Sequence, residues 1–165
     1  MNIREIKDSD YLAFSRLLEA VEQTSDYMVW EPGERGGTPD KQLEMIQNLD
    51  ENSTIIVAEE NNQLVGYLFA MGGKARRNRH SAYLVIGIHH DYRGRGIGKK
   101  LFVFLKQWAT KHGIQRLELT VVTENQSAVS LYEKMGFEIE GTGTKRNSLL
   151  INGDYVDEYY MAKLL

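Results

Sequence analysis

Ile86-Gly87-Ile88-His89-His90-Asp91-Tyr92-Arg93-Gly94-Arg95-Gly96-Ile97-Gly98-Lys99-Lys100 is the most informative stretch of this chain. It runs from the end of a strand over residues 81–89 into a helix whose Ile97, Leu101, Leu105 and Trp108 fall on one stripe. The turn between them is rich in glycine, which lets backbone N–H groups approach a ligand with no side chain in the way. At a helix start those N–H groups lack intrahelical partners, and the positive end of the dipole favours an anion. Arg93, Arg95, Lys99 and Lys100 add positive charge, so a pyrophosphate is the expected guest.

Two common phosphate loops fail against these residues. The dinucleotide pattern Gly-x-Gly-x-x-Gly would need a third glycine at Lys99 or at Leu101. The Walker loop would need Gly at Arg93 and Ser or Thr at Lys100.

Outward from this turn, residues 2–7 alternate like a strand, and Asp8 or Ser9 can cap a helix bearing Phe14, Leu17, Leu18 and Val21. Thr38-Pro39 is a second helix start, with Thr as cap and Pro in the first turn. Residues 54–60 and 63–72 read as strands joined at Asn61-Asn62. Gly113 ends the helix after the glycine turn, residues 115–122 form a strand, and 125–135 a helix closed by Gly136. Two strands around Asn152-Gly153 complete the chain. The fold class is therefore α/β of the α+β type. A central mixed, mostly antiparallel sheet of about seven strands is flanked by about four helices.

The chain has 165 residues, 42% hydrophobic and 26% charged, the balance of one folded domain spanning 1–165. No apolar run reaches the length of a membrane span, and Met1–Lys7 has no secretory pattern. The absence of cysteine removes disulfides, thiolate metal sites and a cysteine nucleophile, and makes a cytoplasmic location the default expectation. A net charge of -3 opposes nucleic-acid binding by bulk electrostatics. The compact basic run Lys74–His80 reads as a solvated loop, with an RNA contact as the rival reading.

One pattern does match the glycine turn: Arg-x-x-Gly-x-Gly at Arg93, Gly96 and Gly98 resembles the coenzyme A pyrophosphate loop of the GNAT acyltransferase superfamily. Downstream, Arg116–Val121 leads into Asn125-Gln126-Ser127-Ala128-Val129-Ser130-Leu131-Tyr132-Glu133-Lys134-Met135-Gly136-Phe137. That segment looks like the second signature of the superfamily, at the family's separation and in its order. The resemblance implies a GNAT-like fold and an acetyl-CoA-dependent N-acetyltransferase that works by direct transfer to a primary amine. It assigns cofactor binding to Ile88, His90, Arg93, Gly94, Arg95, Gly96, Ile97, Gly98, Lys99 and Asn125. Gly87 suits a bulge that splays its strand from the next and opens the slot for the pantetheine arm. Asn125 reads equally as a helix cap, and Tyr132 as core packing or as the acid for the leaving thiolate.

An amine with a pKa near ~10.4 must lose a proton before it attacks a thioester. Residues 81–88 hold no carboxylate, so an ordered water chain is the first expectation, with Glu118, Glu31 and Glu34 as alternatives. His89-His90 does not read as a metal pair, because neighbours on a strand face opposite ways, and no metal is expected. The long irregular segment 24–38 is expected to build the acceptor site through Trp30, Glu31 and Glu34 and to favour a cationic amine. A free amino acid would instead need a cation such as Arg35, Lys145 or Arg146. A catalytically silent acyl-CoA sensor is the rival class. The sequence leaves the acceptor and the oligomeric state open, a homodimer included.

Overall fold

Asn61 and Asn62 both hold positive φ (52° and 62°), as a tight hairpin turn requires, and join β2 (Thr54–Glu60) to β3 (Gln63–Gly72). The computed structural model in which they are seen describes residues 1–143 and 149–165, so Lys145 and Arg146 lie outside the described residues. β1 (Asn2–Glu5) pairs with β2, and β4 (Ser81–Ile88) follows β3 across the 74–80 loop. α3 (Ile97–Lys111) leads to β5 (Arg116–Val122), and α4 (Gln126–Lys134) to β6 (Glu138–Gly143) and β9 (Glu158–Leu164). The seven strands stand in the order β1-β2-β3-β4-β5-β9-β6. Only β4 and β5 are parallel neighbours; every other pair is antiparallel.

Helices cover both faces, as the patterning predicts. α1 (Tyr11–Gln23) and α2 (Pro39–Gln47) bury Phe14, Leu17, Leu18, Val21 and Ile46 against Ile55, Val57 and Tyr67. On the other face, Ile97, Leu101, Phe102 and Leu105 of α3 pack with Val129 and Tyr132 of α4 over Ile56, Leu68, Leu119 and Met161. Residues 54–58 of β2 are buried without a break because this strand is enclosed on both sides. Gly113 (φ 71°) and Gly136 (φ 85°) close α3 and α4 in the left-handed region, where glycine alone is unstrained.

Two boundaries differ from expectation. Asp8–Asp10 forms a short 3₁₀ turn and α1 begins at Tyr11, because the Asp10 carboxylate is drawn back to Lys7 N–H (2.8 Å) and to the Arg4 guanidinium (2.6 and 3.0 Å). The Asn152-Gly153 turn joins only the two-residue strands β7 (Leu150–Ile151) and β8 (Asp154–Tyr155), a separate small ribbon. The long C-terminal pair is β6 with β9. Residues 74–80 are exposed turns, with Arg79 reaching Glu51 at 2.8 Å. No helix among the described residues is long and apolar enough to cross a membrane.

Candidate active site

The parallel pair β4/β5 is joined over only three positions, Ser81↔Arg116, Ala82↔Leu117 and Tyr83↔Glu118. Beyond Tyr83 the strands part, while β4 stays registered on β3 from Gly72↔Ala82 to Gly66↔Ile88. The bonds Gly73 N–H to Ser81 O and His89 N–H to Val65 O (both 3.0 Å) show that odd-numbered residues of β4 face β3. Antiparallel alternation then turns the N–H and C=O groups of Leu84, Ile86 and Ile88 into the opening. The last parallel bridge, Tyr83↔Glu118, uses the Leu84 N–H, and Arg93 takes the Ile88 carbonyl, which leaves the Leu84 carbonyl, both groups of Ile86 and the Ile88 N–H along one wall of the slot. Tyr83 marks its closed end, with its hydroxyl 2.8 Å from Thr120 Oγ1.

The slot does not owe its shape to a bulge at Gly87. The β3/β4 register is unbroken there, and Gly87 is needed for a different reason. A Cβ at that position would stand 2.5, 2.6 and 2.7 Å from Cε1, Cζ and the hydroxyl of Tyr67. The Tyr67 ring occupies the space a side chain would take.

At the C-terminal end of β4 the chain makes a 3₁₀ turn over His90–Tyr92 and enters α3 through Gly94 (φ 74°) and Gly96 (φ 75°). The first amide of this region to find an acceptor is Lys100, on Gly96 O at 3.2 Å. The amides of residues 94–99 meet no acceptor among the described residues, so a helix start with unused donors lies at the mouth of the slot. Arg95, Lys99 and Lys100 are exposed beside it, and Arg95 stacks on Tyr92 at 4.8 Å. A depression lined by Ile3, Gly96, Lys99, Lys100, Val103 and Phe104 borders the same helix start.

Several predicted residues act differently from a simple ligand contact. Arg93 spends its guanidinium on Ile88 O (3.1 Å), Thr24 O (3.1 Å) and Thr24 Oγ1 (3.3 Å), bracing the loop between β4 and the end of α1. The Ile97 side chain is buried, and a Cβ on Gly98 would meet Leu131 Cδ2 at 2.6 Å. Both can therefore serve an anion only through their amides, and Gly98 also lets α3 approach α4. Asn125 caps α4, its Oδ1 accepting from Ala128 N–H (3.3 Å) and Ser127 Oγ–H (3.1 Å), which leaves its Nδ2 as a donor.

Of the two roles considered for Tyr132, core packing is the one that its contacts show. Its ring packs edge-on to Phe102 at 5.9 Å, and burial pushes its hydroxyl pKa well above the ordinary range, with Tyr83 adding to the rise. It therefore keeps its proton at neutral pH.

Among the alternative bases, Glu118 is held by Arg116 at 2.9 Å at the closed end of the slot. Glu31 and Glu34 are exposed, and Glu34 Oε2 takes the Glu31 N–H at 3.0 Å, capping its own loop. Trp30 is 43% exposed and faces the Arg35 guanidinium at 5.7 Å. His89 and His90 correct the reasoning about opposite faces: the strand ends at Ile88, and their rings stack at 4.7 Å. With Asp91, their ligand atoms lie within 4.8 Å of one another.

Three residues escaped the sequence reading. Glu22 is buried, paired with Arg35 from the long segment; an acid bordering the apolar stripe of α1 was its only signal. Tyr67 looked like any strand aromatic. Glu158, opposite Val122 on β9, has its carboxyl pKa raised by burial, toward the range that a general base needs.

A strand pair splayed beside a helix start with unpaired amides offers room for an extended, anionic ligand. The chain belongs to the acetyltransferase (GNAT) family, whose model matches residues 15–137. It is 35% identical over 113 residues, 66% of this chain and 67% of the relative, to the L-amino acid N-acetyltransferase AaaT of Escherichia coli (strain K12). An acetyltransferase of the GNAT family from Streptococcus pneumoniae superposes with a TM-score of 0.91 at 30% identity, covering 99% of both chains. The ribosomal-protein-alanine N-acetyltransferase from Brucella melitensis gives 0.85 at 25% identity over 100% of both. The chain is thus an N-acetyltransferase with the seven-stranded family fold.

Proposed function

We propose that this chain moves the acetyl group of acetyl-CoA directly to a primary amine while both are bound. The observation that carries the reading is the meeting, at the end of β4, of an open strand edge with the unused amides of residues 94–99. The pyrophosphate lies on those amides beside Arg95 and Lys99, and the pantetheine arm lies along the edge at Ile86, Ile88 and His90. Asn125 Nδ2 is a further donor to that arm. The amine nitrogen bonds to the carbonyl carbon as the carbon–sulfur bond breaks. Tyr132 gives its proton to the departing thiolate, and ordered water takes the amine proton and restores the phenol. The absence of cysteine leaves no route through a cysteinyl acyl-enzyme. Two solved relatives of the same fold carry acetyl-CoA, from Salmonella typhimurium and Sinorhizobium meliloti, which supports this co-substrate. Residues 24–38 form the acceptor side, and the name of the Escherichia coli relative makes L-amino acids the first acceptors to try. A cytoplasmic, single-domain enzyme fits the composition.

Gly96→Val tests the cofactor reading. A β-branched residue at φ 75° is strained and must turn the neighbouring amides. Calorimetry should show acetyl-CoA affinity reduced by about 100-fold or more, the loss of two or so charge-assisted hydrogen bonds. Circular dichroism should report an intact fold. Undiminished affinity would sink the assignment.

A further inference from the structure

Tyr159 and Met161 of β9 pack into the core with α3 and α4, so Glu158 and Tyr160 stand on the opposite face of the sheet. Directly paired residues share a face, which puts Thr120 and Val122 of β5 on that side as well. Tyr83 joins them through its hydroxyl, 2.8 Å from Thr120 Oγ1. Tyr83 and Tyr160 are exposed there and belong to neither helix-covered cluster. Val122, the partner of Glu158, lies four residues beyond the last β4/β5 pair, as Gly87 does on β4. Glu158 therefore stands level with the parted stretch of β4, about 13 Å along the strands from the closed end.

The other acids withdrawn from solvent sit on arginines: Asp10 and Glu59 on Arg4, Glu22 on Arg35, Glu60 on Arg95 and Glu118 on Arg116. Asp157 differs, but it precedes β9, and its Oδ1 is sealed from solvent without a partner. Glu158 is half-buried, and among the described residues neither a cation nor a hydrogen-bond donor engages its carboxylate. Packing gives no reason for an acid at this place, since glutamine would fill the same space without holding a charge away from water. The other titratable groups on this face are Tyr83 on β4, Tyr160 on β9, Glu138 on β6 and the set Arg116, Glu118 and Glu140 across β5 and β6. The charges of that set are engaged with one another, and burial alone raises the Glu158 carboxyl pKa.

We propose that Glu158 takes, through one ordered water, the proton that the acceptor's ammonium group must lose before it attacks. This rests on the acetyl-transfer reading of the slot. Tyr132 belongs to the face that α3 and α4 fill, so the amine enters from the face of Glu158. The rings of Tyr83 and Tyr160 on that face suit an ammonium group through cation–π contact. An ammonium loses two protons on its way to an amide. The first goes to Glu158 and from there to solvent. The second leaves the nitrogen once it has bonded to the carbonyl carbon, and replaces the proton that Tyr132 gave to the thiolate.

The test is the pH dependence of thiol release from acetyl-CoA in wild type, Glu158→Gln and Glu158→Asp, with L-amino acids, their α-amides and a polyamine as acceptors. A carboxylate that deprotonates the bound ammonium gives wild type a kcat/KM that rises through the Glu158 pKa and is then flat up to the pKa of the amine. Burial places that rise above the ordinary glutamate value of about 4.3. Glu158→Gln can use only amine that is already neutral, so its kcat/KM should climb about tenfold per pH unit as far as the amine pKa. Its deficit should be about 100-fold or more at pH 7 and should close as the amine pKa is reached. Glu158→Asp keeps a carboxylate and should keep the flat region at a lower level. Circular dichroism and acetyl-CoA calorimetry should not distinguish the three proteins. A merely structural role gives the same deficit at every pH. That result, no deficit, or no release by wild type with any acceptor overturns the proposal. Acetyl-CoA binding and release with a pH-independent deficit removes Glu158 alone, whereas a wild type that does not bind acetyl-CoA removes the transfer reading beneath it.

Discussion

At Gly87 a single hydrogen in place of a side chain makes room for a ring, and this is a prediction that can be measured. Gly87→Ala forces a methyl group to within about 2.5 Å of the buried Tyr67 ring, which is hemmed in by Phe14 and Phe69 at 5.7 Å each. Overpacking of this kind costs about 1–3 kcal/mol. Thermal unfolding should show Tm lower by roughly 2–4 °C per kcal/mol for a chain of this length. A Tm equal to wild type would mean that the ring has another place to go. Tyr132 is a core ring for which the acid role proposed above can be separated from packing by a single variant. Tyr132→Phe should leave the contacts with Phe102 and Phe137 in place and keep acetyl-CoA affinity. Turnover should fall by about 10²–10⁴-fold, the usual worth of a positioned proton donor. Normal turnover in that variant would return Tyr132 to packing alone and leave the thiolate to water.

Elements are held in register by a few long-range polar contacts. Arg4 on β1 reaches Asp10 before α1 (2.6 Å) and Glu59 on β2 (3.1 Å), tying the edge strand to the first helix. The Arg4 hydrogen bond, and then the Lys7 amide, hold the Asp10 carboxyl below its ordinary pKa against the opposing effect of burial. A lowered folded-state pKa means that the stabilisation is complete above the unfolded value of about 3.9 and is lost as pH falls through the folded value. Asp10→Asn should therefore cost about 1 kcal/mol at neutral pH, as a partly exposed pair does. The gap from wild type should close between about pH 5 and pH 2. Urea unfolding of both proteins across that range reads it directly. A gap that stays constant would assign the effect to hydrogen bonds that do not need the charge. Arg93 works at the same scale: it joins the end of β4 to Thr24, 69 residues earlier in the chain, and so couples the glycine loop to the start of the 24–38 segment.

For the molecule as a whole, the decisive event is the loss of pairing between β4 and β5 after Tyr83. It gives a sheet closed at one end and open at the other, with the amides of residues 94–99 at its mouth and Thr24, where the 24–38 segment begins, tied to Arg93 of the same loop. Much of this was legible in the residues. The stripe Ile97-Leu101-Leu105-Trp108, the turn Asn61-Asn62 and the glycines at 94, 96, 113 and 136 are local patterns, and local sterics decide them without reference to the rest of the chain. The helix start with unpaired amides was readable for the same reason, since the first amides of any helix lack intrahelical acceptors. What the sequence left open depends on which distant side chain arrives next to which. That Gly87 yields space to Tyr67, that Arg93 braces Thr24, and that Glu22 holds Arg35 are contacts between elements far apart in the chain, and no periodicity encodes them. His89 and His90 stack because β4 stops one residue short of the expected end, a boundary set by the turn into the glycine loop. By itself the sequence determined most of the elements and the glycine loop, because short-range backbone preferences and amide geometry suffice for those, and its two signature segments were enough to point to the family. The tertiary structure alone decided where β4 and β5 part and which side chains from distant elements brace the slot, because both arise from packing between strands and helices that meet only once the sheet has formed.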